Sequence, residues 1–299
     1  TNIDTQTYIF LDDVINQPAN PEGWPTVWEG NTTSNDPAAD YEMDPDITGD
    51  PEYASLMLDS LTSVPTMSLV MDLDDLFGAA EGIYSNPWQE GVGWERAGSL
   101  EMFYPDGYDA PDGGFQVNAG VRLYGGVGRR EDCLKHSFRL LFKGEYGYTK
   151  LEYPLFGDGT AEEFDTIILR SNFNDGYSWH WGSPKKVQHV RDEYARRIST
   201  LLGAQAPTGN FVHLYINGLY WGLYNPVERP DQSFGPPYFG GEDKDNWDAF
   251  NSGAPTGESD RTEYDALMNY VQTHDMTQDA HYQYIQGNNP DGTPNPAIP

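Results

Sequence analysis

Seven positive or potentially positive residues, Arg122, Arg129, Arg130, Lys135, His136, Arg139 and Lys143, fall within 22 positions of a chain that has only 17 Lys and Arg in all. Such groups on adjacent strands, beneath the glycine-containing loop 125–130, can hold a triphosphate. Guanidinium forks match phosphate oxygens, and a turn supplies backbone N–H donors. The same cluster equally suits solubilisation of one sheet face or pairing with the abundant carboxylates. The loop itself is neither a Walker A sequence nor a dinucleotide fingerprint. Lys135 and Arg139 stand four residues apart with Ser137 between them, so a regular strand puts all three on one face. Phe138 and Leu140 then fill the opposite face, and His136 points away from the polar one.

Carboxylates offer the complementary chemistry. Glu228 stands beside Arg229 and near Asp231, and a glutamate so placed can fix a phosphate-binding base through an ion pair. In the run RSNFND (170–175), Asn172, Asn174 and Asp175 suit either a cation or an ordered turn. Arg191-Asp192 suits either a reach back to that run or a surface pair. His180, His189, His213, His274 and His281 show no metal-binding spacing, and the Asp-rich run 40–50 lacks the EF-hand pattern. The single cysteine, Cys133, excludes an intrachain disulfide and a cysteine-built metal site.

These groups need a scaffold. Residues 211–228, FVHLYINGLYWGLYNPVE, place two strand-like runs around Asn217-Gly218, a residue pair suited to a two-residue turn with positive φ at both positions. A tight β-hairpin delivering Glu228 is expected there. Further strands are expected at 67–71, 99–103, 115–124, 137–142 and 164–169, forming a twisted, mostly antiparallel sheet. A helix is expected to start at Ser183-Pro184 and stop at Gly203, with Val187, Val190, Tyr194, Ile198 and Leu201 as its inward stripe. Residues 51–63 and 260–273 read as helices too. Leu56, Leu58 and Leu61 are core candidates in the first, and Tyr264, Leu267, Met268 and Val271 in the second. The stretch 17–50 is rich in Pro, Asn and Asp but carries Trp24, Trp28 and Tyr41, so it reads as an ordered wrapping arm. The expected fold class is α+β.

Composition bounds the partners. Forty-seven acidic residues against 17 Lys and Arg give a net charge of −30, which repels phosphate backbones and argues against nucleic acid. An aromatic content of 14% can build a substantial core. No run of apolar residues is long enough for a membrane-spanning helix. Thr1 in place of an initiator Met fits a trimmed start.

Three passages resemble the CotH kinase-like family of atypical protein kinases: the glycine loop leading into KHSFRLLF (135–142), RDEYARRISTLLG (191–203) and VHLYINGLYWGLYNPVERPD (212–231). The segments YIFLDDVINQP, ADYEMDP, VPTMSL and GIYSNP resemble extended forms found in large secreted or surface bacterial proteins. The resemblance implies an atypical kinase-like fold with a divided cleft, binding ATP and Mg²⁺ and transferring phosphate to Ser or Thr hydroxyls of a secreted or surface protein. Lys135 and Arg139 match the family's basic strand positions, Arg122 its basic residue before the loop, and Glu228 its orienting glutamate. All four are therefore expected to be nucleotide-binding. One departure is that the family often has two lysines before the serine, where this chain has Lys135-His136. The family's catalytic and metal-binding aspartates find no match before Pro299, so the chain is expected to lack those segments and no catalytic residue is named. The implied organisation is a wrapping region at 1–98, a kinase-like core at 99–240 and a Gly/Pro/Asp-rich region at 241–299. An extracellular or bacterial-surface setting follows from the same resemblance. A non-catalytic structural, adhesion or carbohydrate-associated module is the competing reading.

Overall fold

A computed structural model describes residues 4–28, 38–110, 113–130, 133–177, 187–241 and 243–295. Its centre is a closed barrel of seven strands: β1 (Thr66–Met71), β2 (Arg96–Phe103), β3 (Phe115–Tyr124), β4 (Ser137–Leu141), β5 (Thr166–Arg170), β6 (Val212–Ile216) and β7 (Leu219–Glu228). They run around the barrel in the order β1-β2-β3-β4-β5-β7-β6, and β6 returns to β1. Only the closing β1–β6 pair is parallel. The mostly antiparallel sheet and the α+β class agree with the sequence. Closure was not anticipated, because alternation tells which face a residue takes and not which distant strand it meets.

Strand alternation accounts for the core. Met67, Leu69, Leu100, Val117, Val121, Leu140, Ile167 and Leu214 share one face by register, and all are buried. Their branched and long side chains fill the barrel, while the intervening residues point outward. At the closing seam, Asn217 (φ 48°) and Gly218 (φ 86°) form the expected turn with both φ positive. The Asn217 side chain also clasps β1, accepting from the Met71 N–H at 2.9 Å and donating to the Met71 carbonyl at 2.8 Å.

The chain before Arg96 contributes β1 as an integral barrel strand, and parts of its remainder pack on the barrel. Thr7 Oγ1 donates to Ser68 Oγ at 2.8 Å on the outer face of β1. α1 (Leu11–Ile15) and α2 (Met57–Leu61) pack Val14 and Leu61 against Tyr215. Trp24, Trp28 and Tyr41 join Phe77, Tyr84 and Trp221 in one aromatic cluster. Leu56 and Leu58, expected in the core, are exposed, and only Leu61 of that trio is buried.

α3 (Arg191–Leu201) ends as expected, with Gly203 at φ 90° just past its cap. Its apolar stripe departs from expectation: Val190, Tyr194, Ile198 and Leu201 are exposed, and the buried residue is Glu193. The helix docks through hydrogen-bonded charge rather than apolar packing. Val187 precedes the helix, and Ser183-Pro184 lie outside the described residues. The chain divides into two compact units, Thr1–Arg229 and Pro230–Pro299. The second contains α4 (Thr262–Thr273) and α5 (Asp279–Ile285). α4 buries none of its residues fully, and Leu267, expected inward, is exposed. Among the described residues no helix is long and apolar enough to cross a membrane.

Candidate functional site

The basic residues of β3 and β4 occupy the outward face of the barrel. Arg122 and Arg139 are partners directly across that strand pair, and their row continues to Ile168 on β5 and Val227 on β7. Like charges placed opposite one another repel, and the neighbours compensate. Glu95, just before β2, is buried and accepts from Arg122 Nε at 2.6 Å, from Lys143 Nζ at 2.6 and 2.9 Å and from the Tyr146 hydroxyl at 2.9 Å. Burial pushes the Glu95 carboxyl up, but its bonds to Lys143, Tyr146 and Arg122 hold it below the ordinary glutamate value. Gly120 makes room for this carboxylate, since a Cβ there would lie 2.6 Å from both Glu95 Oε1 and the Tyr146 ring. Arg139 Nε donates to Thr166 Oγ1 at 3.1 Å, and that hydroxyl donates onward to the Leu140 carbonyl at 2.7 Å.

A second charged network adjoins on β5, β7 and α3. Arg170 and Asn225 are partners across β5 and β7. Arg170 pairs with Asp192 at 2.8 Å, and Arg196 bridges Asp192, Glu193 and Asn225 at 2.7, 2.5 and 2.7 Å. Arg197 completes the shell of Glu193 at 2.7 Å. At the start of α3, Asp175 accepts from the Gln188 and Arg191 N–H groups at 3.0 Å and from Arg191 Nε at 2.6 Å. Burial works to raise the Asp175 carboxyl, but the Arg191 and backbone donors leave it below its ordinary value. The run 170–175 is therefore an ordered turn that anchors a helix, and Arg191 does reach back to it.

The remaining expected site residues are dispersed. β4 begins at Ser137, so Lys135 precedes the strand. Its Nζ lies 3.9 Å from the Trp221 ring centroid and 5.0 Å from that of Trp28. Burial lowers the Lys135 amine to about 7, against the opposing pull of Asp40. His136 is buried with Nδ1 3.0 Å from the Gly128 carbonyl, and burial pushes it down to about 4. At the position where the family often carries a second lysine, this chain thus has a neutral clip for the glycine loop. Arg129, in that loop, is buried and pairs with Glu90. Glu228 is the last residue of β7 and accepts from the Thr208 N–H at 2.7 Å. It aligns with Ile167 and Leu140, the inward row, whereas Arg139 belongs to the outward row. By register Arg122 and Arg139 are neighbours on the outward row and Glu228 falls on the inward row, while Lys135 lies over the Trp221 ring.

A family model described as CotH kinase protein matches residues 121–287, more than half of the 299-residue chain. The chain belongs to the CotH kinase protein family. No curated protein matches it. In this CotH kinase-family chain the matched span opens beside Arg122 and takes in β4, β5, α3 and the hairpin. It leaves out β1, β2 and Glu95, the carboxylate that holds Arg122. Sequence reasoning missed Glu95, Tyr146 and Glu193 as organisers of charge. The Glu193, Arg196 and Arg197 spacing was a usable signal, being three and four residues on one helix. Glu95 offered none, because only the β2–β3 pairing brings it to Arg122.

Proposed function

We propose that this CotH kinase-family chain binds ATP as part of an Mg²⁺-dependent phosphotransferase acting on Ser or Thr hydroxyls of proteins. The observation that carries the reading is the Arg122–Arg139 pair, two cations held side by side on a barrel face of a chain with net charge −30. Planar guanidinium groups meet phosphate oxygens two at a time and stay charged at any relevant pH. Arg139, partly exposed, takes the phosphate contact; Arg122, pinned by Glu95, sets the local field. Among the described residues, no three His, Cys, Asp or Glu side chains gather to hold a metal ion. No residue is therefore assigned to Mg²⁺, and no catalytic aspartate is named. The secreted or surface setting and the protein substrate belong to the same proposal and rest on the N-terminal segments that resemble extended surface forms.

Calorimetric titration of the chain with ATP, with and without Mg²⁺, tests this reading when run beside Arg139→Ala. Loss of a charge-assisted phosphate contact is expected to weaken binding about tenfold or more while the far-UV circular dichroism stays unchanged. Equal affinity in the folded variant, or no binding by the folded wild type, overturns it.

A further inference from the structure

In the unit Pro230–Pro299, two histidines without any recognisable metal spacing are brought into contact. His274 caps the C-terminal end of α4, and His281 lies on α5. The intervening turn sets their ring centroids 4.7 Å apart with planes at 58°. Tyr270, in α4, organises both. Its ring stacks on His274 at 3.9 Å and on Tyr284 at 4.1 Å, and its hydroxyl lies 2.8 Å from His281 Nδ1. His274 Nδ1 lies 3.0 Å from the Tyr270 carbonyl, which only accepts, so that nitrogen carries the proton and Nε2 keeps its lone pair. In His281 the Tyr270 hydroxyl, which accepts as well as donates, engages Nδ1; when it accepts, Nδ1 carries the proton and Nε2 keeps its lone pair. A histidine with one nitrogen tied to a fixed partner and the other open is the usual state of a metal ligand.

The spacing fits as well. A cation about 2.0–2.1 Å from each Nε2 would hold the ring centroids about 4.5–5.2 Å apart for N–metal–N angles from about 90° to tetrahedral. The observed 4.7 Å lies inside that range. His274 is exposed and His281 partly so, which gives a cation access. Asp275 supplies a carboxylate charge felt by His281, and the net charge of −30 enriches cations around the whole chain. We propose that His274 and His281 form a two-imidazole site for a borderline divalent transition cation of the zinc or copper type. No third His, Cys, Asp or Glu joins them among the described residues, so solvent completes the coordination shell. Imidazole nitrogen selects such ions over Mg²⁺ and Ca²⁺, which take oxygen ligands. The site is independent of the nucleotide reading, which concerns the other unit.

The test is calorimetric titration of the chelator-stripped chain with Zn²⁺ and, separately, Cu²⁺, in excess Mg²⁺. One saturating equivalent is expected, with affinity falling tenfold or more in each of His274→Ala and His281→Ala. A second measurement needs no variant: substoichiometric Cu²⁺ should broaden the ring-proton NMR signals of two histidines before the others. Absence of saturable binding, binding that survives in both folded variants, loss of binding to excess Mg²⁺, or first broadening at other histidines would each overturn the site.

Discussion

Glu95 organises the charge around Arg122 and Lys143 from outside the family-matched span. Its carboxylate is buried beneath three donors, two of them cationic. Removing the charge leaves Arg122 and Lys143 without their common partner, so Glu95→Gln should cost about 2–3 kcal/mol at neutral pH. The folded carboxyl lies below its ordinary value, so its stabilising contribution is present above the unfolded glutamate value and disappears as pH falls through the folded one. Urea denaturation of wild type and Glu95→Gln should therefore show a gap that narrows on acidification. Lys135 works in the opposite sense. Burial favours its neutral form, so the unfolded chain binds more protons than the folded one between about pH 7 and 10.5. Wild-type stability should rise across that window from this group. Lys135→Met should consequently be more stable than wild type below pH 7, with the difference closing towards pH 10. The two indole faces offset part of the cost of the charged amine and reduce the size of the effect without changing its sign.

Among the elements, the β6–β7 hairpin decides whether the barrel closes. Asn217 combines a left-handed backbone with two side-chain hydrogen bonds to Met71 at the end of β1. Asn217→Ala loses both bonds and places a Cβ residue less tolerant of positive φ in the turn, an expected cost of about 2–3 kcal/mol. Asn217→Gly relieves the backbone but not the bonds and should fall between alanine and wild type in equilibrium denaturation; a glycine variant as unstable as alanine would mean that the clasp alone matters. α3 teaches a different lesson. Its apolar positions repeat at helical spacing, yet the face that docks is the one holding Glu193, because Arg196 and Asn225 satisfy the carboxylate there. A periodic stripe identifies a helix; it does not say which side meets the barrel.

For the whole molecule, charge is the dominant long-range term. With a net charge of −30, self-repulsion opposes the compact state, and salt screens it over roughly 10 Å at 0.1 M. Thermal unfolding should shift to higher temperature between about 10 mM and 0.5 M NaCl. A flat or falling melting temperature would show that the internal ion pairs, which salt weakens, outweigh the surface repulsion.

The amino-acid sequence by itself determined the strands, the Asn217-Gly218 turn, the Gly203 helix stop, the α+β class and the family, since each depends on residues close together in the chain or on a contiguous motif. Arg122 and Arg139 as neighbours were legible for the same reason, lying on strands joined by one loop. Tertiary structure alone decided the rest. Closure by β1 against β6, the meeting of Glu95 with Arg122, the aromatic seat of Lys135, the opposite register rows of Glu228 and Arg139 and the approach of His274 to His281 all depend on register or turn geometry. A single-residue change of register moves a side chain to the opposite face, so residue types at a given spacing cannot choose among these partners until the strands have paired.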